Sequence, residues 1–402
     1  MKLFIFCLLV GVGLVFSFAF ASELYIVPSP TPPTPTPVPW TWQQKIQEGM
    51  ALLKSSPPAL GYEYFAVQKR GRWVLTTTLL RKQIALAIFN TKNGAVFEKR
   101  VWVTQDAIDN YRKRPVGLSP VDANESLDIQ PRSWNSFNTA YEVVGHPEMV
   151  VVANKYLIES KLIGDLPEKS TDRYTAVYYS PYSPALHQSE LVETGRQYVE
   201  QVVDVAFADL LERKVITDPV SKEFVKTLMV VEHVDPSGFN TSEDGGKTLA
   251  ERVLVVIGAN QANAYRWTGS PAGANGLAQF IRPTYNTMVR NYPSAGLIRD
   301  YLPGMADHTN AVKAMALFFD AYKKEITAKT LNKNLVRQLG ISEEMLAATY
   351  NGGPGRVTKS LNKFGASWLT AQIGLPKSSR IIAAETLNYL KKFSAIRQLD
   401  IF

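Results

Sequence analysis

At 402 residues the chain exceeds what one typical hydrophobic core organises, so two domains plus terminal segments are expected. A composition 46% apolar and 20% charged excludes a disordered chain. The formal charge of +8 makes it a cation that any polyanion attracts, but no segment resembles a nucleic-acid module, so nucleic acid is not an expected partner.

Lys2 precedes an apolar stretch from Leu3 to Ala21 that closes on Ala19-Phe20-Ala21, the small-x-small pattern of a signal-peptidase site. Residues 1–21 are therefore read as a secretory signal, with an uncleaved membrane anchor as the alternative, because the stretch is just long enough to span a bilayer. Both readings put the folded part outside the cytoplasm, in the periplasm, the envelope or the medium, and only the anchor would touch membrane. Cys7, the only cysteine, lies inside this segment, so the remaining chain has neither a disulfide nor a nucleophilic thiol. No two of the four histidines, His146, His187, His233 and His308, have the spacing of a metal pair on one helix face, and no cofactor is expected.

Residues 22–39 form a Pro-rich linker: VPSPTPPTPTPVP at Val27–Pro39 predicts an extended polyproline spacer. Apolar and β-branched runs broken by Gly, Asn and Pro then predict a mixed α+β domain of unknown function over 40–180, with a hairpin turn at Thr91–Gly94. From about 185 to 402 the periodicity becomes helical, so the fold class is α+β, with the helical domain last. Leu191, Tyr198, Val202, Ala206 and Leu210 share one face of a long helix, and Val312, Met315, Phe319, Tyr322 and Ile326 share another. Asp218-Pro219 is expected to open a helix between them, and Asp300–Asp307 to be the loop before a helix at Asn310.

On the helix expected from Asp218, Phe224, Leu228 and Glu232 are four apart, which puts the Glu232 carboxyl on the apolar face. A carboxyl against apolar walls keeps its proton to higher pH and is suited to donate it to a leaving oxygen. Downstream, SPAGANGLAQF at Ser270–Phe280 predicts a tight turn at Gly273 and Gly276 that presents the Gln279 amide, a group suited to sugar hydroxyls and acetamides. LAATYNGGPGRV at Leu346–Val357 predicts a helix from about Ser342 that stops with Tyr350 and Asn351 at an open end.

These segments, in this order, together with Glu-Thr-x-x-Tyr at Glu385–Tyr389, resemble the soluble lytic transglycosylase family over roughly Ala185–Phe402. The resemblance implies a goose-lysozyme-like helical domain that cleaves peptidoglycan strands between N-acetylmuramic acid and N-acetylglucosamine and leaves a 1,6-anhydro product. It also implies Glu232 as the single acid/base, Ser270, Gln279, Tyr350 and Asn351 as substrate-binding residues, and Glu385 on the far wall. An anionic cell-wall polymer would be a further partner for so basic a chain. In three places the sequence departs from the family pattern. His233 stands where a serine usually follows the glutamate, Ala278 replaces a common methionine, and residues 240–267 read as an insertion over the cleft, in which Glu251 competes for the catalytic role. Two other outcomes stay open: a goose-lysozyme-like muramidase, with Asp235 or Glu243 activating water, and a wall-binding or scaffold protein without activity.

Overall fold

The computed structural model describes residues 40–55, 59–104, 119–120, 127–133, 135–159, 174–270, 272–331 and 333–402. The signal or anchor expected at 1–21 and the linker at 22–39 lie outside them. After α1 (Trp42–Leu52), an antiparallel sheet is built from β1 (Leu60–Lys69), β2 (Arg72–Asn90), β3 (Val96–Thr104), β4 (Ser119–Pro120), β7 (Met149–Glu159) and β8 (Tyr174–Tyr179). The spatial order is β4-β3-β2-β7-β8, and β1 pairs with the first half of β2. The expected turn at Thr91–Gly94 joins β2 to β3, with the Gly94 amide donating to the Asn90 carbonyl at 2.9 Å.

Successive side chains of a strand point to opposite faces. In β2 this sends Ile84, Leu86 and Ile88 to one side and Ala85, Ala87 and Phe89 to the other, and all six are fully buried. A strand covered on both faces needs no polar alternation, which accounts for the nearly unbroken apolar run Gln83–Phe89. One cover is α1, which buries Ile46, with Leu53 just beyond it and Leu186, Leu191, Val255 and Ala259 of the helical half; the capping box of α1 is closed by Thr41 and Gln44. The other cover comprises β5 (Ile129–Ser133), β6 (Ala140–Val143) and the helical half.

That half contains α2 (Ser189–Glu212), α3 (Lys222–Val231), α4 (Pro236–Asn240) and α5 (Lys247–Asn260), then the short pair β9 (Ala274–Asn275) and β10 (Phe280–Ile281). It continues with α6 (Arg282–Asn291), α7 (Tyr301–Ala306), α8 (His308–Lys329), α9 (Lys333–Leu339), α10 (Glu343–Gly352), α11 (Pro354–Phe364) and α12 (Ala384–Gln398). Sheet and helices share one core, and residues 40–402 form one compact unit. At the junction the buried Asn260 side chain accepts from the Ser180 amide and donates to the Ser180 carbonyl, both at 2.8 Å, which ties the end of α5 to the end of β8.

Three local expectations are corrected. Helix α3 begins at Lys222 under a Ser221 cap whose hydroxyl accepts from the Phe224 amide, whereas the Asp218 carboxylate is engaged by the Lys323 ammonium. Asp300–Asp307 is not a loop: it forms α7, and Asp307 caps α8 by accepting from the Asn310 amide at 2.8 Å. Of the stretch 240–267 only Asn240 lines the cleft, so the segment is not a cover over it. Its helix α5 is buried from Val253 to Asn260 against α2, because its residues facing α2 are apolar or glycine and the two backbones touch there.

At that crossing a Cβ on Gly195 would stand 2.0 Å from the Leu254 carbonyl oxygen, and one on Gly258 would stand 2.2 Å from that of Leu191. Backbone cannot yield as a flexible side chain can. Gly195→Ala and Gly258→Ala are each expected to destabilise by about 1–3 kcal/mol. Urea titration would show this as a lower midpoint with unchanged slope. Gly355→Ala, whose Cβ would meet nothing within 4 Å, is the control.

Candidate functional site

Every residue of α3 from Phe224 to Val231 is buried, so the helix runs through the core and delivers its C-cap, Glu232, to the floor of a cleft of about 980 Å³. Burial pushes the Glu232 carboxyl up to about 7. The Tyr389 hydroxyl, donating to Oε1 at 2.6 Å, and the nearby charge of Lys392 both favour the carboxylate and pull the other way. Burial also lowers the Lys392 ammonium below the usual lysine range; its Nζ donates to the Val234 carbonyl at 2.8 Å. A carboxyl poised near neutrality between a phenol and an ammonium has the character of a general acid.

The neighbouring wall is the turn Ser270–Ile281. At Gly276, φ is +73°, and a Cβ would fall 2.4 Å from the Met305 carbonyl oxygen, so only glycine fits. Rings from three other elements satisfy the carbonyls of this turn. His233 Nε2 lies 2.9 Å from the Leu277 oxygen, the Tyr301 hydroxyl lies 2.5 Å from that of Phe280, and the Tyr350 hydroxyl donates to Ala278. Since a carbonyl only accepts, the His233 proton resides on Nε2; burial lowers that imidazole to about 3, so it is neutral, and it stacks on Tyr265 at 3.7 Å. The histidine after Glu232 thus fastens the acid-bearing helix to the turn. Gln279 lines the cleft, but its amide nitrogen folds back to donate to the Gly276 carbonyl at 2.7 Å.

The opposite wall comes from α8, α10 and α12. The Tyr350 ring packs against Phe280, Phe318 and Phe319 at 5.5, 5.1 and 5.6 Å between centroids, which fixes its hydroxyl. Asn351 Oδ1 accepts from the Thr386 hydroxyl at 2.8 Å. Glu385 stands exposed in the first turn of α12, and Tyr389 and Lys392 follow it at helical spacing. All six residues singled out in the sequence, Glu232, Ser270, Gln279, Tyr350, Asn351 and Glu385, line this one cleft.

The competing carboxylates are elsewhere. Glu251 lies 3.1 Å from His187 Nε2, and Asp235 caps α4 through the Gly238 amide and the Ser237 hydroxyl, both at 2.6 Å. Neither residue lines the cleft, nor does Glu243. Missed in the sequence were the roles of Tyr389 and Lys392 and the contribution of Phe239 to the wall. The spacing Glu385-x-x-x-Tyr389-x-x-Lys392, one face of a helix, was the available signal. No family model matches this chain, and no curated protein matches it.

Because the folded state holds the Glu232 proton between 4.5, the usual value, and about 7, whereas the unfolded chain releases it near the lower limit, stability falls as pH rises through that window. Glu232→Gln, neutral throughout, is expected to match the wild type below the window. Above it the variant should be more stable, by on the order of 1–3 kcal/mol. Urea unfolding on either side of the window checks this.

Proposed function

We propose that this protein is an exported lytic transglycosylase acting on peptidoglycan glycan strands. The observation that carries the reading is the Glu232 carboxyl, raised to about 7 by burial and hydrogen-bonded by Tyr389, on the floor of a cleft with the polar side chains of Ser270, Gln279, Asn351 and Glu385 on its walls. The motifs that resemble the soluble lytic transglycosylase family are the segments that meet there. The excess of basic residues suits a strand bearing stem-peptide carboxylates or an anionic wall polymer.

In this reading Glu232 gives its proton to the glycosidic oxygen as the bond from C1 of N-acetylmuramic acid breaks. The resulting carboxylate then takes the proton of the muramyl 6-hydroxyl, whose oxygen closes on C1. The proton returns to Glu232, water is not consumed, and the product is a 1,6-anhydro sugar. One carboxyl performs both steps: Asp235 and Glu243 do not line the cleft, and the other carboxyl that does, Glu385, stands exposed in the first turn of α12. Tyr389 orients the carboxyl, Lys392 steadies its anionic form, and the Oε1 of Gln279 is the part of that amide left to meet an N–H of the sugar.

Mass spectrometry of muropeptides released from purified peptidoglycan tests the reading. Anhydromuramyl products are expected from the wild type, with a loss of about 10²–10⁴-fold in Glu232→Gln. Reducing-end products would mean a muramidase, and no products would mean a wall-binding role. The rate should fall as pH rises above about 7, where the acid form is depleted. Tyr389→Phe should cost ~10–100-fold and move that limb to higher pH, because it removes a donor that favours the carboxylate.

A further inference from the structure

Beyond the sheet, the N-terminal half of β2 and its partner β1 continue as a two-stranded ribbon. Arg70 and Gly71, at φ +50° and +76°, form its two-residue turn, the geometry that matches strand twist. From Glu63 to Leu75 side chains on both faces are exposed apart from the half-buried Val67, so this part of the ribbon stands in solvent. Opposite residues of an antiparallel pair share a face. The register Tyr64↔Thr77, Ala66↔Leu75 and Gln68↔Trp73 therefore puts Tyr62, Tyr64, Ala66, Gln68, Trp73, Leu75 and Leu79 on one face, which holds no charged residue. The other carries Glu63, Lys69 and Arg72, together with the less exposed Phe65 and Val74.

The three most exposed large apolar side chains of the ribbon, Tyr64 at 64%, Trp73 at 72% and Leu75 at 69%, all lie on the uncharged face. At its end the sequence Lys69-Arg70-Gly71-Arg72 places three cations beside Trp73. Apolar surface of this kind in water is unfavourable without an occupant.

We propose that this ribbon docks flat on an anionic phospholipid surface. Tyr64, Trp73 and Leu75 would enter the boundary between headgroups and acyl chains, and Lys69, Arg70 and Arg72 would meet the phosphates. Tyrosine and tryptophan favour that boundary, and arginine and lysine reach back from it to headgroups. Charge complementarity selects the anionic lipid, and Leu75 selects lipid over sugar, because a glycan platform would pair its aromatics with hydrogen-bonding groups instead of an exposed aliphatic side chain. The proposal does not depend on the catalytic reading, since no ribbon residue lines the cleft.

The test is cosedimentation of residues 40–402, the compact unit, with vesicles of phosphatidylcholine alone or with about 30% phosphatidylglycerol. Omitting residues 1–39 removes the apolar N-terminal stretch as a source of binding. Retention on the anionic vesicles is expected, lowered about 10-fold or more in Trp73→Ala/Leu75→Ala. In Lys69→Ala/Arg70→Ala/Arg72→Ala a loss on the order of 100-fold is expected, together with loss of the preference for anionic lipid. Circular dichroism should be unchanged in both, as every replaced side chain is exposed. Absence of retention, or equal retention of the Trp73/Leu75 variant, would overturn the proposal. So would a ribbon-dependent dimer in sedimentation equilibrium, or ribbon-dependent binding to sacculi, without vesicle binding.

Discussion

A helix buried on every side beyond its first two residues, ending in a carboxyl, is the constraint on which the rest of this structure depends. Helix α3 buries every residue from Phe224 to Val231, so its axis and its end are set by packing on all sides, including α2, α5, α8 and α12. Apolar contact is non-directional, but a side chain surrounded at close-packed density has little room to shift. Glu232 thereby inherits a fixed position and a low-dielectric setting, and its raised proton affinity follows from that setting. Tyr389 and Lys392 limit the cost by offering a hydrogen bond and a countercharge to the ionised form.

Around this point the cleft is assembled by satisfying backbone groups. The turn Ser270–Ile281 has carbonyls that lie in neither helix nor long strand, and an unpaired buried carbonyl is unfavourable. His233, just beyond the end of α3, and Tyr301 and Tyr350, from α7 and α10, pair with three of them. The hydrogen bonds that complete the turn therefore also set the distance between the cleft walls. Tyr350 serves packing and site together: its ring lies among Phe280, Phe318 and Phe319, and its hydroxyl holds the turn.

Much of the fold was legible in the sequence where periodicity is strong. The stripes on α2 and α8, the stop after Asn351 and the hairpin at Thr91–Gly94 all appear in the structure. Less legible were features that depend on distant partners. Asp218-Pro219 has the form of a helix start, yet Lys323, more than a hundred residues away, engages Asp218, and Ser221 caps instead. The segment 240–267 reads as an insertion because it separates Glu232 from the Ser270 run further than the family pattern does, and its charges Glu243, Asp244 and Glu251 read as a solvated face. Gly258 reveals its place only when Gly195 is opposite, for a glycine in a helix carries no label saying which backbone will approach it.

By itself the sequence determined the α+β class, the change from strand to helix periodicity near 180 and the choice of six residues that end in one cleft. The first two follow from local spacing, because periodicity tells which side chains share a face; the six residues were singled out by the resemblance of their motifs to a known family. Only the tertiary structure decided that Tyr389 bonds Glu232, that His233 is a neutral tie to Leu277, and that Asp235 and Glu251 are occupied elsewhere. Hydrogen-bond partners and proton affinities depend on which groups the folded chain brings within about 3 Å and how much water it excludes, and no local pattern encodes either.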